Sequence, residues 1–296
     1  VRNGAIGAAC AMFAVGTLAG VSGLVKDYPV YGGQAVRYLV AAVILLVVTR
    51  VLGLRFVRLT VREVLCLAGL TLLGLVIFNV CIVESTRASG PALVGTVLGT
   101  VPLWLALAGG RPAPRLLVGA VIVVAGATLA TGLGSGSPTG LLWALGALVG
   151  EVSFSILAIP LLPKLGAIRV SAYSTALAVP LLAVIGVVKE GRGMFRAPTG
   201  PEVFGFGYLA LVVTVVAFFL WYSSLPKLGP GRAGLFAGLI PVGAIVTGLV
   251  LGIATPSAYD LLGAGVVIAG ILVGLTAKRA PEAVPAVVTS SATGRS

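Results

Sequence analysis

Ten long apolar runs separated by short polar stretches set the pattern of this chain. They cover residues 4–25, 30–52, 64–83, 89–109, 115–133, 139–159, 168–188, 204–225, 231–254 and 259–277. A helix rising about 1.5 Å per residue needs about 20 residues to cross a hydrocarbon layer ~30 Å thick. The runs fit that length. They are too long and too continuous for the alternating ~10-residue strands of an outer-membrane barrel. The pattern predicts an all-α integral membrane protein with ten transmembrane helices. The first run is longer than the apolar core of a typical signal peptide and is preceded only by Arg2, so it is read as the first helix.

Composition strengthens this reading. Hydrophobic residues make up 58% of the chain and charged residues 9%, against roughly 25% charged in a soluble domain. So few charges cannot cover a water-facing surface, so most of the surface must face lipid. Glycine, at 42 of 296 residues, is abundant, as membrane helices tolerate because it lets backbones approach closely. The net charge of +12 does not point to nucleic acid, because the cations sit in short loops and form no continuous stripe. The chain has no histidine, and Cys10, Cys66 and Cys81 lack metal-ligand spacing. No metal or cofactor is expected.

The cations also predict an orientation. With the N-terminus inside, 14 of the 20 Lys and Arg residues fall in inside loops and tails, among them Arg50, Arg55, Arg58, Arg111, Lys164, Lys227 and Arg232. Five fall outside: Lys26, Arg87, Lys189, Arg192 and Arg196. Arg37 lies within the second run. The excess on one side places both termini in the cytoplasm of a bacterial inner membrane. Residues 279–296, rich in Pro, Ala, Ser and Thr, read as a disordered cytoplasmic tail.

The halves of the chain resemble each other. GPALVGTVLGTVP at 90–102 and GPGRAGLFAGLIP at 229–241 share Gly90/Gly229, Pro91/Pro230, Gly95/Gly234, Gly99/Gly238 and Pro102/Pro241. GAVIVVAG at 119–126 echoes GAGVVIAG at 263–270. The first pair opens the fourth and ninth runs, and the second falls in the fifth and tenth. Each half therefore holds five helices, and an odd count makes the second half enter from the opposite side. The expectation is two inverted five-helix repeats, 1–135 and 136–278. Inverted repeats of this kind favour a secondary transporter, with its site near the midplane. Gly95 and Gly99, like Gly234 and Gly238, share a helix face and suit close packing. Pro102 and Pro241 each remove an amide, so this motif reads either as packing or as a hinge.

These features together resemble the EamA family of the drug/metabolite transporter superfamily. The pieces that carry the resemblance are VRYLVAAVILLVV at 36–48, SGPALVGTVLGTVPLWLAL at 89–107, LLVGAVIVVAGATL at 116–129, LGPGRAGLFAGLIPVGAIV at 228–246 and LLGAGVVIAGILV at 261–273. The resemblance implies a ten-helix bundle that exports amino acids, other metabolites or drugs. It also implies a central cavity lined by helices 1, 3, 4, 6, 8 and 9.

Glu151 is the sharpest candidate for chemistry. It lies near the middle of the sixth run, where a carboxylate facing lipid costs at least about 2.5–3.5 kcal/mol. It should face protein or a wet cavity, where it can exchange a proton or pair with a substrate amine, unless it is a structural partner. Ala147, Ser155 and Ala158 share its helix face. Aligning VGT at 15–17 with VGE at 149–151 sets Thr17 opposite it. Arg37 could attract an anionic group, snorkel to the headgroups or pair with a carboxylate. Asn79 could bond substrate or a neighbouring helix. Trp221 and Tyr222 could stack on a substrate or anchor at the interface, and Pro180 should kink the seventh helix. Glu84 and Arg87 are close enough for a salt bridge.

The expected partners are a small-molecule substrate, the lipid bilayer and, for coupling, protons; a homodimer is compatible with the sequence. The absence of a Walker A motif argues against direct ATP drive. The competing readings are a non-transporting scaffold, which has no need of two opposed halves, and an intramembrane enzyme, which would need paired acids or a metal cluster.

Overall fold

The computed structural model describes residues 2–132, 136–252 and 255–277. The tail predicted at 279–296 lies outside the described residues. Among those described, ten helices are long and apolar enough to cross a membrane: α1 Arg2–Val25, α2 Val30–Val51, α3 Val61–Ser89, α4 Pro91–Ala108, α5 Pro114–Thr131, α6 Pro138–Ile156, α7 Leu162–Met194, α8 Gly200–Leu228, α9 Pro230–Val250 and α10 Ala258–Leu275. The chain is a multi-pass membrane protein. Leu39, Val43, Val47, Leu142, Val184, Phe204 and Leu272 are exposed on the outside of the bundle, where lipid replaces water.

Local chemistry sets the boundaries. Pro91, Pro114, Pro138 and Pro230 stand in the first turn of their helices, where the missing amide would have had no partner. Thr60 with Glu63 and Thr199 with Glu202 form capping boxes at the starts of α3 and α8. α3 runs six residues beyond the predicted 83. Its polar end is satisfied in place: the Tyr31 hydroxyl donates to Glu84 at 2.6 Å, and Arg87 and Lys189 pair with the same carboxylate at 3.3 and 3.7 Å. The helix stops at Gly90, whose φ of 77° suits a residue without a Cβ.

α7 begins earlier than the predicted 168 and is broken at Gly166, with φ 69° and ψ 169°. Pro180 sits in backbone that stays helical. A turn interrupts the α-helical winding of α4 at Gly99–Thr100, and a short 3-10 helical segment that of α9 at Phe236–Gly238. Each break lies just before the proline of its motif, Pro102 or Pro241, where the ring would otherwise collide with the preceding turn.

Several features recur at a fixed spacing. Thr60 and Thr199, Gly90 and Gly229, and the π-helical segments Leu70–Ile77 and Leu209–Val216 are each 139 residues apart. Packing follows the same rule. α2 lies on α7, α4 on α9 and α5 on α10, while α1 lies on α8 and α9 as α6 lies on α3 and α4. α1 and α9 meet closely, since a Cβ on Gly16 would collide with the Ile240 carbonyl.

The two ends of the bundle are tied differently. At the end bearing the 53–60 loop, Lys164 pairs with Glu63 at 2.7 Å and Arg169 donates to the Arg55 carbonyl at 2.9 Å. At the other end Glu190 accepts from the Tyr31 and Gly32 amides, both at 2.9 Å. It thereby caps the start of α2, whose own preceding residue, Pro29, offers no side-chain cap. Glu190→Ala is expected to lower stability by about 1–2 kcal/mol, read as a lower Tm with no change in helix content.

Candidate functional site

A cavity of about 150 Å³ lies inside the bundle. Its wall brings together Arg37, Asn79, Glu151 and Trp221, four residues far apart in sequence. The wall is drawn from α1 (Met12, Val15, Leu18), α2 (Gln34, Arg37, Tyr38), α3 (Gly74, Leu75, Phe78, Asn79), α6 (Glu151, Phe154) and α8 (Val213, Phe218, Trp221). The resemblance had implied α4 and α9 instead of α2. Those two helices pack on each other, and α9 also covers α1, so α2 takes their place at the wall.

Glu151 makes no hydrogen bond or ion pair with any described residue. Arg37 is 6% exposed and likewise has no carboxylate partner. Its Nε donates to Thr214 Oγ1 at 2.8 Å, Nη1 reaches Gln34 Oε1 at 3.4 Å, and the guanidinium lies 5.4 Å from the centre of the Tyr38 ring. Asn79 Nδ2 donates to Tyr38 Oη at 3.1 Å and to the Leu75 carbonyl at 2.6 Å. Its oxygen is left to accept from a bound molecule. One small cavity therefore offers a carboxylate, a guanidinium and an amide oxygen. Phe78, Phe154 and Phe218 supply apolar wall beside them.

Thr17, Ser155 and Tyr222 are absent from this wall. Thr17 donates to the Ala14 carbonyl at 2.7 Å and accepts from the Tyr208 hydroxyl at 3.0 Å. Ser155 shares the face of Glu151 one turn on, but the Trp221 indole covers it and donates to it at 3.2 Å. Tyr222 is 1% exposed. It reaches the Phe154 carbonyl at 3.4 Å, and its ring lies 4.9 Å from that of Phe154. Ser155 and Tyr222 thus lie behind the wall against Trp221 and Phe154, while Thr17 is held apart from them by Tyr208. Trp221 lines the cavity and is bonded to Ser155 behind it.

Of the motif glycines, a Cβ on Gly234 would meet Leu105 Cβ at 2.7 Å and one on Gly238 would strike Val123. Gly95 has only Thr131 near it, at 3.9 Å. The second copy of the motif is therefore tightly packed on neighbouring helices, whereas in the first a Cβ on Gly99 would meet its own helix backbone at the Gly95 carbonyl oxygen, 3.1 Å away, and the neighbouring helix only at Ala127, 3.8 Å away.

A second cavity, about 170 Å³, opens at the end of the bundle that holds the 26–29 loop. It shares Leu18, Gln34 and Arg37 with the first. Tyr28 lines it, donates to the Arg196 carbonyl at 2.8 Å and lies under the Arg196 guanidinium, 4.9 Å from its ring centre. Burial pushes the Tyr28 phenol up, so it remains a neutral donor. Arg196 bonds Glu202 at 2.5 Å, which holds the guanidinium above its ordinary range. Sequence reasoning missed Gln34, Met12, Thr214 and Phe154 in and around this site; the only signal pointing toward Gln34 was its place one turn before Arg37.

The chain is similar to known proteins in three ways. Residues 138–276 match the family described as EamA-like transporters. The uncharacterized transporter YetK of Bacillus subtilis (strain 168) is 30% identical over 181 residues, 58% of this chain and 54% of YetK. The match thus spans little more than half of that relative. A solved crystal structure of a protein superposes with a TM-score of 0.80 at 19% identity, over 92% of this chain and 96% of the other, a likeness of fold. Glu151, Phe154 and Trp221, which wall the cavity from α6 and α8, fall inside the matched stretch. Over residues 138–276 this chain is therefore similar to the EamA-like transporter family, which belongs to the drug/metabolite transporter superfamily.

Proposed function

We propose that this chain is a secondary transporter that exports a small zwitterionic metabolite, an amino acid or a close relative, by alternating access with protons as the coupling ion. The observation that carries this reading is the pairing of opposite charges in one cavity. Glu151 and Arg37 line the same wall, and neither is neutralised by another described residue. Holding two unpaired charges away from water is costly. A solute bearing an ammonium and a carboxylate would offset both costs at once. The apolar wall at Phe78, Phe154 and Phe218 would take its side chain. Glu151 is also the proton site of this reading, because a carboxylate can hold a proton when the ammonium has left.

The family match and the transporter relative support a carrier over a scaffold or an enzyme. The 139-residue recurrences and the pairing of α2 with α7, α4 with α9 and α5 with α10 support two inverted repeats, 1–135 and 136–278. That arrangement supplies two related half-states for alternating access. The cation bias orients the termini to the cytoplasm, so the second cavity would be an outer vestibule.

The test is binding of matched ligands. Purified protein is screened by thermal shift against the common amino acids, with L-leucine compared to isoamylamine and 4-methylpentanoate, which lack its carboxylate or its ammonium. A zwitterion is expected to raise Tm more than either analogue, and to drive counterflow in liposomes. Equal shifts from zwitterion and amine, or no flux of any amino acid, would refute the reading.

A further inference from the structure

Arg37 stands where the two cavities meet, and the chain spends an unusual piece of backbone on holding it. In the α-helical parts of the bundle threonine hydroxyls reach back one turn: Thr49 to the Leu45 carbonyl, Thr175 to Ser171 and Thr247 to Gly243. This is the ordinary behaviour of a mid-helix threonine. Thr214 differs. It sits in the π-helical segment Leu209–Val216, and its hydroxyl donates to the Leu209 carbonyl, five residues back, at 3.0 Å. A hydroxyl has one proton. With that proton spent on Leu209, the oxygen can only accept toward Arg37, whose Nε donates to it at 2.8 Å.

The consequence falls on the guanidinium. Nε is tied to Thr214, and Nη1 makes only the long 3.4 Å contact with Gln34. Nη2 has no partner among the described residues, yet no polar side-chain atom that is fully enclosed lacks one. The open edge of the fork therefore faces the cavities that Arg37 lines. A planar guanidinium held at one edge presents the other for a carboxylate in a fixed direction. The widened turn is itself a recurrent mark of functional positions in helices.

We infer that Thr214 is a positioning residue for substrate recognition: the π-helical turn fixes its hydroxyl, the hydroxyl fixes Arg37, and Arg37 receives the solute carboxylate at the threshold between vestibule and cavity. This rests on the zwitterion reading for the identity of the group received. The anchoring of Arg37 does not depend on it.

The experiment separates the two. Full-length protein in nanodiscs is treated with phenylglyoxal, which labels accessible arginine, and modification of Arg37 is followed by peptide mass spectrometry. Thr214→Val removes the hydroxyl at nearly constant shape; Thr214→Ser keeps it. Arg37 in T214V is expected to be labelled several times faster than in wild type, with T214S close to wild type. In the same samples T214V should weaken L-leucine and 4-methylpentanoate by at least about tenfold, the loss of one hydrogen bond to a charged group, while isoamylamine is unaffected. Wild-type labelling of Arg37 in a T214V protein with an unchanged Tm would overturn the anchoring. Faster labelling with unchanged carboxylate binding would leave the anchor standing and overturn the role of Arg37 in recognition. Equal weakening of all three ligands would show that the turn shapes the cavity as a whole, which also overturns the positioning role.

Discussion

Glu151→Gln is expected to reduce counterflow of L-leucine by about 100-fold, with folding intact. Removing one partner of a buried charge pair typically costs 2–5 kcal/mol, and 1.4 kcal/mol is a factor of ten. The glutamine fills the same space and can still hydrogen-bond, so the wall at Phe154 and Trp221 keeps its shape. It can neither balance an ammonium nor carry a proton. Two consequences follow. The Tm of the ligand-free variant should equal or exceed that of wild type, because an uncompensated charge has been removed from the interior. The residual flux should lose its response to an imposed pH gradient. Glu151→Asp, which keeps the charge one methylene further back, should fall between the two. A well-folded E151Q protein that transports at the wild-type rate with the wild-type pH response would remove Glu151 from the mechanism.

Glu151 was visible in the sequence because a carboxylate in an apolar run needs a reason to be there. Arg37 and Asn79 stood out for the same cause, and all three line the cavity. The ten spans were equally legible, since length and hydropathy are all that a bilayer asks of a helix. Which face of each helix turns inward was much harder to read. In water, polar residues mark the outer face; in lipid both faces are apolar, so Met12, Phe78 and Phe154 could not be told from lipid-facing neighbours. Ser155 illustrates the limit. Its spacing from Glu151 set it correctly on one helix face, but only tertiary packing reveals that Trp221 covers it. Thr214 was hidden for a further reason. It lies in a π-helical segment, where the four-residue rule that relates sequence to helix face fails.

Any side chain at Gly126 is expected to cost the fold heavily. A Cβ placed there would lie 2.6 Å from the Val267 amide nitrogen and 2.8 Å from the Gly263 carbonyl oxygen. The reverse holds on the facing helix, where a Cβ on Gly263 would lie 2.6 Å from the Ala130 nitrogen and 2.7 Å from the Gly126 oxygen. One turn pair away, Gly270 meets the Val123 nitrogen at 2.7 Å and the Gly119 oxygen at 2.9 Å. These are backbone atoms, and no rotamer change can move them aside, so α5 and α10 would have to separate along their whole contact. The two segments involved are the sequence-related 119–126 and 263–270, crossing antiparallel. Gly126→Ala should therefore cost at least about 2 kcal/mol, the upper part of the range for overpacking, and Gly126→Leu should prevent folded protein from accumulating. Gly265, on the same helix as Gly263, has nothing within 4 Å of its Cβ position; Gly265→Ala should be neutral or slightly stabilising. Neither α5 nor α10 contributes to the cavity wall, so whatever G126A protein does fold should transport at the wild-type rate per molecule. Thermal melting and size-exclusion profiles decide the first part and counterflow per folded protein the second. A G126A protein that melts with wild type would show that the seam can open at little cost, and a folded G126A protein that transports poorly would make this contact part of the moving machinery.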